Sequence, residues 1–169
     1  KRIDNVIDVF YQIQQEVDAV LLMIGEGPEK EKSREQAHNL GILDRVKYLG
    51  KTSEIERVLC MSDLFVLPSE KESFGLSALE AMAAGVPVIS SNTGGLPEVN
   101  INDQTGFTAD VGDVDSMAKG AISLLKDDNK RANFGKNARQ QAEKFSLDII
   151  GPKYLELYKS AVANIRAVV

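Results

Sequence analysis

Short apolar runs of strand length alternate with helix-period patterns along this chain, and that alternation constrains its fold more than any other feature. Val6, Ile7, Phe10, Ile13 and Val17 recur at helical spacing, after which residues 19–24 form a continuous apolar run. The period changes from that of a helix face to that of a buried strand. Gly25-Glu26-Gly27 turns the chain, Pro28 suits a first helical position, and a charged helix leads to Gly41 and a short strand at 46–49. Ser53, with Glu56 three residues on, has the form of a capping box for the next short helix. A strand at 64–67, a helix at 76–84, a strand at 86–90 and a last short strand at 107–109 complete the series. Strands alternating with helices in this way require a parallel sheet with crossover helices, the α/β doubly wound architecture.

Doubly wound domains commonly order their strands 3-2-1-4-5-6, with the first strand central. This chain opens on a helix, so its five strands are expected in the second to sixth places, with a slot between strands 19–24 and 64–67. There is no initiator Met, and Lys1-Arg2 already reads as the first turn of a helix. A fragment is therefore expected, with an upstream strand to fill the slot. After Val111 the chain reads as helical. Val114, Met117, Ala118, Ala121, Ile122 and Leu125 form one apolar stripe, residues 130–144 read as a charged and solvated helix, and Ser146 can cap a final helix. That helix is expected to break near Gly151-Pro152, because proline lacks a backbone donor and disfavours helical geometry just before it. Tyr154, Leu157, Tyr158 and Val162 can face either a partner domain or their own.

With 169 residues, 43% of them hydrophobic, the chain is the size of one domain with a core of its own. No apolar run approaches the ~18 residues of a membrane span. A formal charge of −5 argues against a broad nucleic-acid surface. One Cys and one His exclude a Cys/His zinc cluster and an internal disulfide. Cys60 sits on an apolar helix pattern and is expected to be buried, and His38 lies in a polar helix with no nucleophile pattern nearby. The single Cys is compatible with a reducing cytoplasm, where the protein is expected to reside.

The run from Glu72 to Ile89 holds the candidate site. It sets two carboxylates, Glu72 and Glu80, eight positions apart across a strand-to-helix turn. Ser73, Phe74 and Gly75 fall at the helix entrance, where free N–H groups favour anions, and Gly75 is expected to let a ligand approach because it has no Cβ. Glu80 lies more than a turn inside the helix. Spacing alone leaves a second reading open, since Leu76, Leu79 and Ala83 make an ordinary apolar face and a Glu on such a helix is usually solvated. The following strand and the turn Thr93-Gly94-Gly95-Leu96-Pro97-Glu98 place further loops at the strands' C-terminal ends, where open α/β sheets bind ligands.

At these residues the chain resembles the retaining glycosyltransferases of the family-four type. Glu72 to Glu80 fits their E-x7-E signature and Gly94 to Glu98 their glycine-proline turn. Gly25-Glu26-Gly27-Pro28, the segment 46–50 and Gly106-Phe107 sit where that family has corresponding elements. The resemblance implies a Rossmann-like domain, the donor-binding half of the two-domain GT-B fold, with the acceptor site on an N-terminal domain. It assigns Glu72 to positioning the donor sugar, Glu80 to ribose hydroxyls, and Lys1, with Arg2, to the diphosphate. The backbone of Ser73, Phe74, Gly75 and Leu76 would also meet the diphosphate, with Gly25, Gly27 and Leu49 bordering the nucleotide. It further implies metal-independent transfer with no cofactor beyond the nucleotide sugar.

Residues 1–4, 67–75 and 111–113 resemble the branch that attaches N-acetylglucosamine to L-malate, which implies UDP-N-acetylglucosamine as donor. Because half of the cleft and the acceptor groups would belong to the N-terminal domain, this domain alone is expected to be inactive. The competing reading is a nucleotide- or phosphate-binding module without catalysis.

Overall fold

The computed structural model describes the backbone of residues 1–166 and the side-chain surroundings of residues 1–162. β1 (Leu21–Ile24) pairs in parallel with β2 (Val46–Gly50), and β3 (Phe65–Leu67), β4 (Val88–Ser91) and β5 (Gly106–Ala109) form a second parallel sheet in that order. No ladder joins β1 to β3 among the described residues. The pairing therefore reproduces the expected strand order on both sides of the expected slot.

Alternation along the three-stranded sheet sends side chains to two helical layers. Phe65, Leu67 and Val88 pack with Ala78, Ala81 and Met82 of α4 (Leu76–Ala83), Leu96 and Val99 of α5 (Leu96–Val99), and Ala138 and Ala142 of α7 (Asp128–Glu143). Val66, Ile89 and Phe107 point the other way, onto Val9 and Ile13 of α1 (Ile3–Gln14) and Met117, Ala121 and Leu124 of α6 (Val114–Leu125). α1 buries a second stripe as well. Its Ile7 and Phe10 pack with Leu21, Met23 and Val46 of the two-stranded sheet and with Ala37 of α2 (Lys30–Asn39). This is the doubly wound α/β arrangement, with α1 shared between the sheets.

Several helix boundaries have visible causes. α6 starts where Asp113 Oδ1 accepts the Ser116 N–H at 3.0 Å, and α7 where Asp127 Oδ1 accepts the Lys130 N–H at 2.9 Å. α3 (Ile55–Cys60) has Glu54 rather than Ser53 at its N-cap and no side-chain cap; Thr52 Oγ1 instead accepts the Glu54 N–H at 3.0 Å. Pro28 lies in the turn ahead of α2 and not at its first position.

Three other expectations give way to packing. Cys60 is exposed, because on so short a helix Leu59 takes the position that faces the core. α7 is not wholly solvated: Phe134, Ala138 and Ala142 recur every four residues and are buried within its charged sequence. α8 (Leu147–Arg166) runs unbroken through Pro152. Asp148, whose carbonyl loses its helical partner at that proline, is exposed, so solvent can satisfy it. Tyr154, Leu157, Tyr158 and Val162 are exposed on α8, so they do not pack on their own domain.

Gly135 marks where α7 crosses the turn after α4, since a Cβ there would stand 2.3 Å from the Gly85 carbonyl oxygen. Alanine is the better helix former by ~1 kcal/mol, but overpacking a rigid backbone contact costs roughly 1–3 kcal/mol. Gly135→Ala is expected to lower stability in urea denaturation by about 1–2 kcal/mol. A stabilised variant would show that the two helices separate without cost.

Candidate functional site

Because all the strands run parallel, the loops leaving β1 to β5 gather at one end of the sheets. The loops after β3 and β4 are tied through the backbone carbonyls of the first loop. Ser91 Oγ donates to the Ser69 carbonyl, Thr93 Oγ1 donates to the Glu70 carbonyl at 3.3 Å, and the Gly95 N–H donates to the Glu72 carbonyl at 3.3 Å. Gly94 permits the closest approach: a Cβ there would fall 1.7 Å from the Glu72 carbonyl oxygen. After β1 and β2 a similar tie forms, with the Gly25 N–H donating to the Gly50 carbonyl at 2.8 Å.

On this frame Lys1, just ahead of α1, meets Glu72, in the loop after β3. Lys1 Nζ donates to Glu72 Oε2 in an ion pair across 71 positions of sequence. The Glu72 side chain is only 15% exposed and the Lys1 side chain 52%. Together with Lys71, Ser73, Thr93 and Gly94 the pair lines an open cleft of ≈ 380 Å³. The hydrogen bond from Lys1 holds the Glu72 carboxyl below the usual carboxylate range, against the burial that pushes it up, and Ser69 and the Gly75 N–H reinforce the effect. Glu72 is thus an ionised acceptor with a cation beside it.

The other expected residues divide. Ser73 lines the same cleft, and Phe74 is half-buried edge-to-face with Phe145 at 5.5 Å between centroids. Leu76 is exposed at the start of α4, which carries no side-chain cap. Glu80 is exposed and has no hydrogen bond or ion pair to its side chain among the described residues. It does not line the cleft with Glu72, which is not the arrangement of two carboxylates flanking one bond.

Gly25, Gly27 and Leu49 are exposed, and nothing within 4 Å would meet a Cβ on either glycine, so tight packing is not what places them. The Arg2 guanidinium is held by Asp4 and Asn5 Oδ1, each at 2.9 Å, so of the two leading basic residues Lys1 is the one that meets the signature carboxylate. At Gly75 φ is +97° and a Cβ would lie 2.7 Å from Leu96 Cδ2, so the missing side chain makes room for the buried Leu96.

Four residues of this region had no expected role. Lys71 and Thr93 reach the cleft, and Ser69 and Ser91 lie fully buried beneath Glu72. Lys71 and Thr93 were visible within the two site-like turns. A buried serine leaves no pattern in sequence, because serines are mostly exposed.

A chain with parallel strands, this loop cluster and a lysine-paired Glu at the head of an E-x7-E run has the make-up of a sugar-transferring enzyme domain. Residues 1–141 match the family described as glycosyl transferases group 1, and the chain belongs to that family. It is 46% identical over 159 residues, 94% of its length, to the N-acetyl-alpha-D-glucosaminyl L-malate synthase of Bacillus anthracis, and spans 42% of that protein. It is 36% identical to the D-inositol 3-phosphate glycosyltransferase of Corynebacterium glutamicum, over 78% of this chain and 32% of that protein. Among solved structures, Anabaena HepE in complex with UDP-glucose superposes with a TM-score of 0.82 at 25% identity, covering 92% of this chain and 44% of that one. The chain therefore spans less than half the length of these relatives. No helix among the described residues is long and apolar enough to cross a membrane.

Two outcomes test this geometry. Lowering the Glu72 pKa in the folded state means that the unfolded chain binds more protons in acid. The associated stability is therefore complete above the ordinary carboxylate range and is lost as pH falls through the folded value. Glu72→Gln is expected to remove part of the acid-side loss of stability, measured as the difference in urea midpoint between neutral and acidic pH; an unchanged difference would show that the pair is not formed in solution. Gly75→Ala is expected to destabilise the fold by roughly 1–3 kcal/mol through its left-handed backbone and Leu96. Unchanged stability would return Gly75 to a role in ligand approach alone.

Proposed function

We propose that this domain binds a nucleotide-diphosphate sugar, UDP-N-acetylglucosamine, across its loop cluster and, joined to a second domain, transfers the sugar with retention to a small acceptor, L-malate. The single observation that carries the reading is the Lys1–Glu72 pair in the cleft after β3 and β4. The name of the Bacillus anthracis relative supports the choice of donor and acceptor. Glu72, ionised beside a lysine, is an acceptor-only group suited to sugar hydroxyls. Lys1 supplies positive charge where the departing diphosphate gains negative charge as the sugar bond breaks, and the uncapped start of α4 adds backbone donors. Glu80, exposed and without a side-chain partner among the described residues, takes the ribose hydroxyls, while Gly25, Gly27 and Leu49 border the nucleotide. Nucleotide-sugar chemistry of this kind, with a chain holding a single Cys, fits a cytoplasmic enzyme.

The reading includes a strand upstream of Lys1 between β1 and β3 and an N-terminal domain carrying the acceptor groups. The facing edges of β1 and β3 have no ladder partner, and the buried Asn5 Nδ2 has no acceptor among the described residues. A buried donor without an acceptor costs roughly 1–3 kcal/mol, and an added strand would supply backbone partners to both edges. The exposed apolar side chains of α8 supply the contact face for the second domain.

In the intact protein, Glu72→Ala is expected to lower transfer from UDP-N-acetylglucosamine roughly 10²-fold, the scale for a misplaced substrate. Glu80→Ala is expected to weaken donor binding, read by calorimetry against UDP, ADP and GDP sugars, and residues 1–169 alone are expected to transfer nothing measurable. Donor binding by the intact protein with no transfer to any acceptor would favour a non-catalytic nucleotide-binding module. Full activity in Glu72→Ala would overturn the assignment.

A further inference from the structure

We propose that Ser69 is a positioning residue for Glu72, holding one carboxylate oxygen so that the other is presented to the cleft. Ser69 follows the buried end of β3 and is itself fully buried. Its Oγ donates to Glu72 Oε2 at 3.5 Å and has no other hydrogen-bond partner among the described residues. A buried hydroxyl without a partner is costly, so this contact is the one the serine must keep.

The same Oε2 accepts from Lys1 Nζ, whereas no side-chain donor meets Oε1 among the described residues, and the Gly75 N–H is the one backbone donor that acts on the carboxyl. Two side-chain donors on one oxygen select a rotamer and leave lone-pair capacity on the second for a ligand. Ser69 is anchored from below in turn, because the fully buried Ser91 donates its hydroxyl to the Ser69 carbonyl. β4 thereby fixes the backbone from which the Glu72 loop departs. Lys1 is half-exposed at the chain's start and Ser69 is rigid, so Ser69 sets the direction and Lys1 the charge.

Only the identity of what Oε1 receives rests on the sugar-transfer reading; the contacts do not. The test is the titration of the Glu72 carboxyl, followed by carbon-13 NMR in the intact protein, for the wild type, Ser69→Ala and Ser91→Ala. Removing the Ser69 hydroxyl is expected to raise the Glu72 titration point, since that hydroxyl favours the charged form. Ser91→Ala, which loosens Ser69 without touching Glu72, is expected to raise it less. Ser69→Ala is also expected to lose roughly tenfold in kcat, the scale of one hydrogen bond to a charged group. A Ser69→Ala protein that melts earlier while Glu72 titrates with the wild type would reduce Ser69 to packing and overturn the proposal. If Ser69→Ala does not fold, Ser91→Ala decides: a raised titration supports the proposal and an unchanged one overturns it. Absence of transfer by the wild type would sink the transfer reading and leave the titration result standing.

Discussion

The helix α1 carries the constraint on which the rest of this domain depends. Among the described residues no ladder joins β1–β2 to β3–β4–β5, so the two sheets are related through side-chain packing on a shared helix. α1 does this with two stripes offset around one helix, Ile7 and Phe10 against the first sheet and Val9 and Ile13 against the second. Helical periodicity of ~3.6 residues per turn sets the angle between those stripes, and that angle sets how the sheets meet. Since α1 begins at the end of the sheets where the loops gather, its first residues are delivered to the site. Lys1 reaches Glu72 because Val9 and Ile13 are buried where they are.

Position in the cleft is built mainly from backbone. The Glu72 loop is fixed by Ser91 on the Ser69 carbonyl, by Thr93 on the Glu70 carbonyl, by the Gly95 N–H, and by a contact at Gly94 too close for any Cβ. Such ties restrain the chain and leave side chains free to turn. Two loops from adjacent strands, each weakly ordered alone, become one rigid shelf when their carbonyls and hydroxyls are exchanged in this way. Phe74 locks the shelf to the C-terminal helices through Phe145, which connects the site to the region after α7.

Much of this was legible in the sequence because it depends on apolar patterning. The strands announced themselves as short apolar runs, and the order of their pairing followed from the chain's opening on a helix. What escaped was set by neighbours distant in sequence. The buried stripe Phe134, Ala138 and Ala142 is hidden by the charges around it, and small residues give a weak signal even where a helix packs closely. Cys60 was misplaced because a helix of six residues has too few turns to show which side faces inward. Pro152 sits inside α8 because exposure supplies water to the freed carbonyl, and exposure is a tertiary fact. Glu72, Ser73 and the glycine turn are legible from their motif and do come together; the packing of Gly75 on Leu96 is not, since Leu96 lies twenty-one positions on. The pairing of Arg2 with Asp4 is a local contact that the motif does not show.

The division between backbone ties and side-chain charge has a functional consequence. A half-exposed ion pair contributes little to folding, typically 0–1 kcal/mol, because solvent screens it and its long side chain loses freedom. The fold therefore does not depend on Lys1 meeting Glu72, whereas it does depend on the contacts of Gly94, Leu96 and Ser91 beneath them. A charge pair of low structural value on a shelf of high structural value is able to exchange partners without the shelf moving. Lys1 can turn from a carboxylate to another anion, and Glu72 can accept a hydroxyl while Ser69 keeps its Oε2 in place. The cost of that exchange is small because the cleft is open and Lys1 is half-exposed, and the precision of the result is inherited from the buried serines.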